Sequence, residues 1–327
     1  MMRAPLRPLA YLAIAAVAAL AQLSLLYGFA STHYFVSHAA YAFDAIADEK
    51  VIVTGADADV LFVGDSAVAT GVDPGVIKRD TGFSAYNLGV TVSAYAYDPE
   101  FLVDHYLAHN KPPRIIVLYA TPWHVGDPDI PIYEAAGMIL RHGSLREMAD
   151  FFLRTPQHLI DYAHQIMVVA ASSTWDDSKY RAVVKVLREN AGFVPMDDLP
   201  GARADFGRLK DYDAFCRSGY YRRPVDAAFF ARFRHEYTRP GTTVLIYAAP
   251  LPDCNNSARY YAEQFGPLVD NAPYTLPHAL FVLDIWKFHL TQRGAELNSA
   301  LVSEWLLDRA WSLGIANVGT TEGAHTP

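Results

Sequence analysis

A short apolar run, DVLFVG (59–64), stops abruptly at Asp65 and Ser66 and continues in small residues, AVATG. A serine hydroxyl is a weak nucleophile until a neighbouring base takes its proton, and an imidazole can do so at neutral pH. A histidine suited to that task, His289, lies far along the chain in DIWKFHLTQRGAE, with Asp284 five residues before it. A carboxylate on the second ring nitrogen would fix the tautomer and stabilise the imidazolium, so Ser66, His289 and Asp284 together are the raw material of nucleophilic acyl transfer. The tetrahedral intermediate then needs hydrogen-bond donors. Ser66, opening a helix, can offer its own N–H, and Gly89 in YNLGV can offer another where its backbone approaches a ligand closely. The competing reading is structural: Asp65 or Ser66 simply caps the helix that follows.

These residues are useful only if the fold gathers them. ADVLFVGD (58–65), SAYNLGV (84–90) and PRIIVLYAT (113–121) read as buried strands, with a helix over PEFLVDHYLAHN (99–110) between the last two. The alternation resumes with helix 225–237, strands 242–250 and 278–284, and a closing helix over 293–314. Strands alternating with helices predict an α/β domain on a parallel sheet. Ligands bind such sheets at the carboxyl ends of the strands. Ser66, Asn87 and Gly89, Thr121 and His124, and Asp284 all fall at predicted strand ends. Between 132 and 222 the alternation gives way to helical periodicity, an insertion expected to act as a lid or partner-docking element.

The N-terminus carries a different signal. From Pro8 to Phe43 there is no Asp, Glu, Lys or Arg, and residues 9–30 are apolar almost throughout. At 1.5 Å per residue that stretch covers roughly 33 Å, enough to cross a bilayer. It is longer than a secretory signal core, so an uncleaved anchor is expected, with cleavage after Ala30 as the alternative. Arg3 and Arg7 precede it and the next basic residue is Lys50, which by the positive-inside rule leaves residues 1–8 in the cytoplasm. Residues 31–54 are expected to form a membrane-proximal stalk, 55–315 the α/β domain, and 316–327 a flexible tail. The expected location is a single pass in a bacterial plasma (inner) membrane with the domain in the periplasm or outside the cell.

Composition narrows the partners. Hydrophobic residues make up 52% of 327 and the net charge is −8, so nucleic acid is excluded as a partner: there is no clustered Lys and Arg to meet phosphates. No histidine pair shows a metal-binding spacing such as His-Glu-x-x-His, and the chemistry above calls for no metal and no cofactor. Two cysteines, Cys216 and Cys254, can pair in an oxidising compartment.

Three blocks carry a family resemblance. VGDSAVATG with Ser66, YNLGV with Gly89, and HLTQRGAELNSALVSEWL with His289 resemble, in order and spacing, the first, second and last blocks of the SGNH (GDSL-like) hydrolase superfamily. The resemblance implies a flavodoxin-like three-layer sandwich, Ser66 as nucleophile, His289 as base, and the Ser66 and Gly89 amides as oxyanion donors. Two blocks depart from the pattern. The third, normally Gly-x-Asn-Asp, is replaced by YATPWHV, leaving Thr121 or His124 to supply a side-chain donor. The last, normally Asp-x-x-His, has Trp286 at the acid's place, with Asp284 two residues further back. An anchor, a degenerate third block and a helical insertion together resemble the anchored members that work beside membrane-bound O-acyltransferases. That implies transfer of an acyl group, acetyl in the first instance, through acyl-Ser66 onto a cell-surface or secreted polysaccharide. A carbohydrate esterase or deacetylase with the same residues is the alternative, and a non-catalytic scaffold of a polysaccharide-modifying complex is the third reading. Trp123, Trp175, Tyr220, Tyr221 and Trp286 would suit stacking on sugar rings.

Overall fold

The computed structural model of the chain describes residues 6–39, 42–91, 99–121, 133–154, 157–196, 216, 226–254, 258–282 and 289–315. Four parallel strands form the central sheet: β1 (Val60–Gly64), β2 (Ala85–Asn87), β3 (Ile115–Ala120) and β4 (Thr243–Ala248), in the order β2-β1-β3-β4. Every residue of β1 and β3 is buried, which is why these strands read as unbroken apolar runs rather than alternating ones. Val60 pairs with both Ala85 and Ile115, and Ile115 with Thr243, so the strand starts lie level across the sheet.

The chain leaves β1 through helices α4 (Ser66–Gly71) and α5 (Pro74–Thr81), reaches β2, and returns past β1 to β3 through α6 (Pro99–His109). Right-handed crossovers in opposite directions put α4 and α5 on one face of the sheet and α6 on the other. The direction therefore reverses between β1 and β3, opening a crevice at their carboxyl ends. The closing helix, α13 (Gln292–Ser312), packs on α4 and α5. Thr291 caps it, its side chain accepting from the Gly294 amide.

Between β3 and β4 the predicted insertion is present as α7 (Tyr133–His142), α8 (Leu145–Arg154), α9 (Gln157–Ser172) and α10 (Ser178–Glu189), followed by α11 (Ala227–Tyr237), which lies against β4. The insertion's helices pack on the N-terminal helices α1 (Leu6–Ala30), α2 (His33–His38) and α3 (Ala42–Val51). This corrects the expectation of a stalk over 31–54. Ala45, Ile46, Ala47 and Val51 are buried, and the buried carboxylate of Asp48 accepts from Arg141 Nε at 2.7 Å and pairs with His142 Nε2. Helix α3 is thus part of the folded body. The segment after α10 closes the sheet's edge: Asn87 N–H donates to Ala191 O at 2.9 Å and Val194 N–H to Ala69 O at 3.0 Å. Within α1, Ala10–Ala30 is long and apolar enough to cross a membrane.

Over its described residues, 278–282, one predicted strand does not form. Residues 278–284 were expected to extend the sheet. His278–Leu280 is instead a 3-10 turn, and Phe281 makes an isolated antiparallel bridge with Leu290. The last parallel pairing is a separate short one, β5 (Leu251–Pro252) with β6 (Thr275–Leu276), joined by a connection that includes α12 (Ala258–Phe265). Beside it Cys216 and Cys254 form a disulfide, Cα–Cα 5.4 Å, against a cluster of Phe193, Leu276, Phe281 and Leu290.

The disulfide closes a loop of sequence separation 38. Replacing both cysteines by serine should lower unfolding free energy by about 3–4 kcal/mol by the chain-entropy relation, read as a lower denaturant midpoint. Reduction of the native protein should produce the same shift.

Candidate active site

Gly64 ends β1 with little room to spare: a Cβ there would lie 2.8 Å from Tyr119 O and 2.9 Å from Val68 Cγ1. The turn that follows puts Asp65 at the N-cap of α4 and Ser66 at its first helical position. Asp65 Oδ1 accepts from the Ala67 amide at 2.9 Å, so capping is a real part of its role. The capping residue is Asp65, which leaves the Ser66 hydroxyl for other work.

That hydroxyl lies 2.9 Å from His289 Nε2. The imidazole is buried while Ser66 is partly exposed, so the nucleophile can be reached and its base is screened. Three consecutive residues hold the histidine in place. Val282 N–H donates to His289 O at 2.8 Å, Leu290 bridges to Phe281, and Thr291 N–H donates to Leu280 O at 2.8 Å. Helix α13 then fixes this strap to α4: Asn298, fully buried, donates to Gly71 O at 2.7 Å, and Ser299 Oγ accepts from the Asp73 amide at 2.8 Å. Two residues 223 positions apart meet because the first turn of α13 docks beside the helix that Ser66 begins.

The remaining strand-end residues take other roles than those expected. Thr121 is buried at the end of β3, and its hydroxyl donates to Asp65 Oδ2 at 2.5 Å. It is a support for Asp65, not an oxyanion donor. Asn87 is fully buried, its amide donating to Val68 O at 2.6 Å and Val72 O at 2.7 Å, so it satisfies carbonyls at the end of α4. Its Oδ1 accepts the Gly89 N–H at 2.9 Å, which turns that amide inward, away from any oxyanion. Gly89 is glycine for a packing reason: a Cβ would lie 2.3 Å from Val68 Cγ1 and 2.5 Å from the Ala69 nitrogen. Its carbonyl accepts from Lys50 Nζ, a wholly buried amine that sequence reading had placed in the stalk. Burial pulls the Lys50 pKa well below its ordinary value. Nothing in the sequence marks Lys50, because its burial depends on α3 packing beneath the β2 turn. His124 and Asp284 lie outside the described residues, as do Trp123, Tyr220, Tyr221 and Trp286. Trp175 is not near Ser66; it sits with Phe29 and Tyr34 at the end of α1.

Asp65 is the buried acid that the described structure places nearest this chemistry. Burial raises its pKa, while the Thr121 hydroxyl, the Ala67 amide and the charge of a protonated His289 act the other way. Asp253, Cys254 and His278 also lie close together, but the Cys254 sulfur is committed to the disulfide, so this is no thiolate metal site.

No protein-family model, no curated protein and no solved structure matches this chain.

Two outcomes follow from the geometry. Because the native Asp65 pKa lies above the unfolded one, the native state holds more protons in between, and stability should fall as pH rises through that window. Asp65→Asn should flatten this dependence in denaturant titrations at several pH values. Gly89→Ala should destabilise the fold by at least about 2 kcal/mol in the same titrations, because the clash is partly with backbone.

Proposed function

We propose that the chain is a membrane-anchored serine acyltransferase that carries an acyl group, acetyl in the first instance, on Ser66 and delivers it to a hydroxyl of a polysaccharide outside the membrane. The observation that carries the reading is the 2.9 Å contact between Ser66 Oγ and His289 Nε2 at the carboxyl end of β1, where the strand order reverses. The strand order 2-1-3-4 is the beginning of the flavodoxin-like order 2-1-3-4-5, which supports placing the chain with the SGNH (GDSL-like) hydrolases whose sequence blocks it resembles.

In this mechanism His289 Nε2 takes the Ser66 proton as Oγ attacks the donor's acyl carbon. The imidazolium then protonates the leaving group, and the acyl-serine remains. A polysaccharide hydroxyl, deprotonated by the same imidazole, attacks in turn and releases Ser66. Asp65 holds the turn that presents Ser66 in both halves, through the Ala67 amide and the Thr121 hydroxyl. Among the described residues none accepts from the Ser66 amide, which supports reading that amide as a donor for the oxyanion. Asp284, five residues before His289, is the proposed partner of the second ring nitrogen. The disulfide supports an oxidising compartment, and with α1 it supports a domain outside the plasma membrane, beside a membrane-bound O-acyltransferase that supplies the acyl group. With water as acceptor the same dyad is an esterase, so the acceptor decides between the two activities.

The test uses the full chain, since α2 and α3 are built into the domain and a truncated one would lose them. Intact mass after incubation with a fluorophosphonate should show one adduct on the native protein and none on Ser66→Ala. His289→Ala should slow labelling by about 10²–10⁴-fold. No adduct on folded native protein would sink the nucleophile reading. Given an activated acetyl ester, transfer to added polysaccharide that outpaces release of acetate would mark a transferase. Release alone would mark the esterase.

A further inference from the structure

Helices α8 and α9 carry apolar residues on the wrong side. One face of α9 is in the core, with Tyr162, Ile166 and Val169 buried. Yet Ile160, Met167 and Val168, on its opposite face at helical spacing, are 74%, 55% and 40% exposed, and Leu145 and Leu153 of α8 are 83% and 80% exposed. A single exposed leucine needs no explanation, but a run of them across two neighbouring helices does. The same sides carry exposed Arg146, Asp150, Asp161 and His164, and a face that mixes large apolar with charged side chains suits a helix lying at a membrane surface.

What covers this face is indicated by where it is attached. The Tyr27 ring lies 6.1 Å from that of Phe152 on α8 and 5.7 Å from that of Tyr162 on α9. Tyr27 is inside the apolar span Ala10–Ala30, three residues before its end. At 1.5 Å per residue that is roughly 4.5 Å short of the end, so these helices meet α1 within the length that a bilayer would occupy. Leu153 adjoins Phe152 in sequence and Ile160 is two residues from Tyr162, so the exposed side chains stand on the same helical turns that make this contact. At the same end of α1, Phe29, Tyr34 and Trp175 form a partly exposed group, with Trp175 6.0 Å from Phe29 and 6.1 Å from Tyr34. Aromatic rings of this kind gather where a membrane meets water.

We propose that α8 and α9 rest on the bilayer at the end of α1, with Leu145, Leu153, Ile160, Met167 and Val168 inserted at the boundary between headgroups and acyl chains. The occupant is lipid, because the helical turns that carry these side chains pack on α1 within its apolar span. The domain is then seated rather than tethered. The insertion is also joined to α3 through Asp48, Arg141 and His142, and α3 reaches the β2 turn through Lys50, so seating fixes how Ser66 is presented to a membrane-bound donor. This rests on α1 crossing the bilayer and is independent of the acyl-transfer chemistry.

The experiment uses the full chain in phosphatidylcholine vesicles. Both native cysteines are in the disulfide, so a single introduced cysteine can be labelled with an environment-sensitive fluorophore. Leu153→Cys and Ile160→Cys are compared with Arg259→Cys, an exposed position on α12. Expected is quenching at 153 and 160 by nitroxides near the lipid headgroups, with iodide quenching at least about fivefold weaker than at 259. Iodide access equal to the reference would overturn the proposal, since the helices would face water. Shielding from both quenchers would overturn it too, by assigning the face to protein contact. Failure of the native chain to float with vesicles in alkaline carbonate would remove the anchor and this inference together, while leaving fluorophosphonate labelling of Ser66 unaffected.

Discussion

The docking of α13 beside α4 is the constraint on which the site depends. A hydroxyl at the start of one helix and an imidazole just before another are held 2.9 Å apart by packing between those helices. The junction is polar as well as apolar. Asn298 Nδ2 reaches Gly71 O and the Tyr119 hydroxyl, its Oδ1 accepts from Tyr274, and Ser299 holds the Asp73 amide. Buried groups satisfied this completely tolerate no sliding, because any shift would leave donors or acceptors without partners. The alignment of nucleophile and base is therefore as firm as the core.

The same accounting explains why several strand-end residues turned inward. At the carboxyl end of a parallel sheet, helix ends and strand ends leave amides and carbonyls that must find partners. Asp65 supplies one to the start of α4, Asn87 supplies two to its end, and Thr121 holds Asp65 from the neighbouring strand. Asn87 also takes the Gly89 amide, while Lys50 takes the Gly89 carbonyl. These residues are polar and near the nucleophile, as a site would require. Their chemistry is spent on holding Ser66 rather than on meeting a substrate.

The N-terminal helices and the insertion share one apolar core with the sheet, Ala47 and Val51 and Ile139 and Phe151 among its members. Asp48 ties α3 to α7, and Glu49 ties it to α10 through Tyr180 and Arg188. The chain between the apolar span and the sheet is thus structural rather than a flexible connection. Orientation of the domain relative to α1 is set by side-chain packing, including the Tyr27 contacts with Phe152 and Tyr162.

Much of this was legible in the order of residues. The runs at 58–65, 113–121 and 242–250 are apolar without interruption because both faces of β1, β3 and β4 are covered, and periodicity of that kind is local. Ser66 and His289 were legible for a similar reason, each standing at the boundary of an element. Four things were not. The strand expected at 278–284 is, over 278–282, a turn and a bridge, since a short apolar segment reads alike in a sheet and in a strap. Lys50 looked solvated, and Gly89 and Thr121 looked available to a ligand. Burial, and the direction in which a polar group points, depend on what arrives from elsewhere in the chain. The amino-acid sequence by itself determined the four strands of the main sheet, the apolar span and the two reactive residue types, because these follow from local pattern. Only the tertiary structure decided that serine and histidine meet, and which polar neighbours serve them, because hydrogen-bond partners are chosen by packing between distant segments.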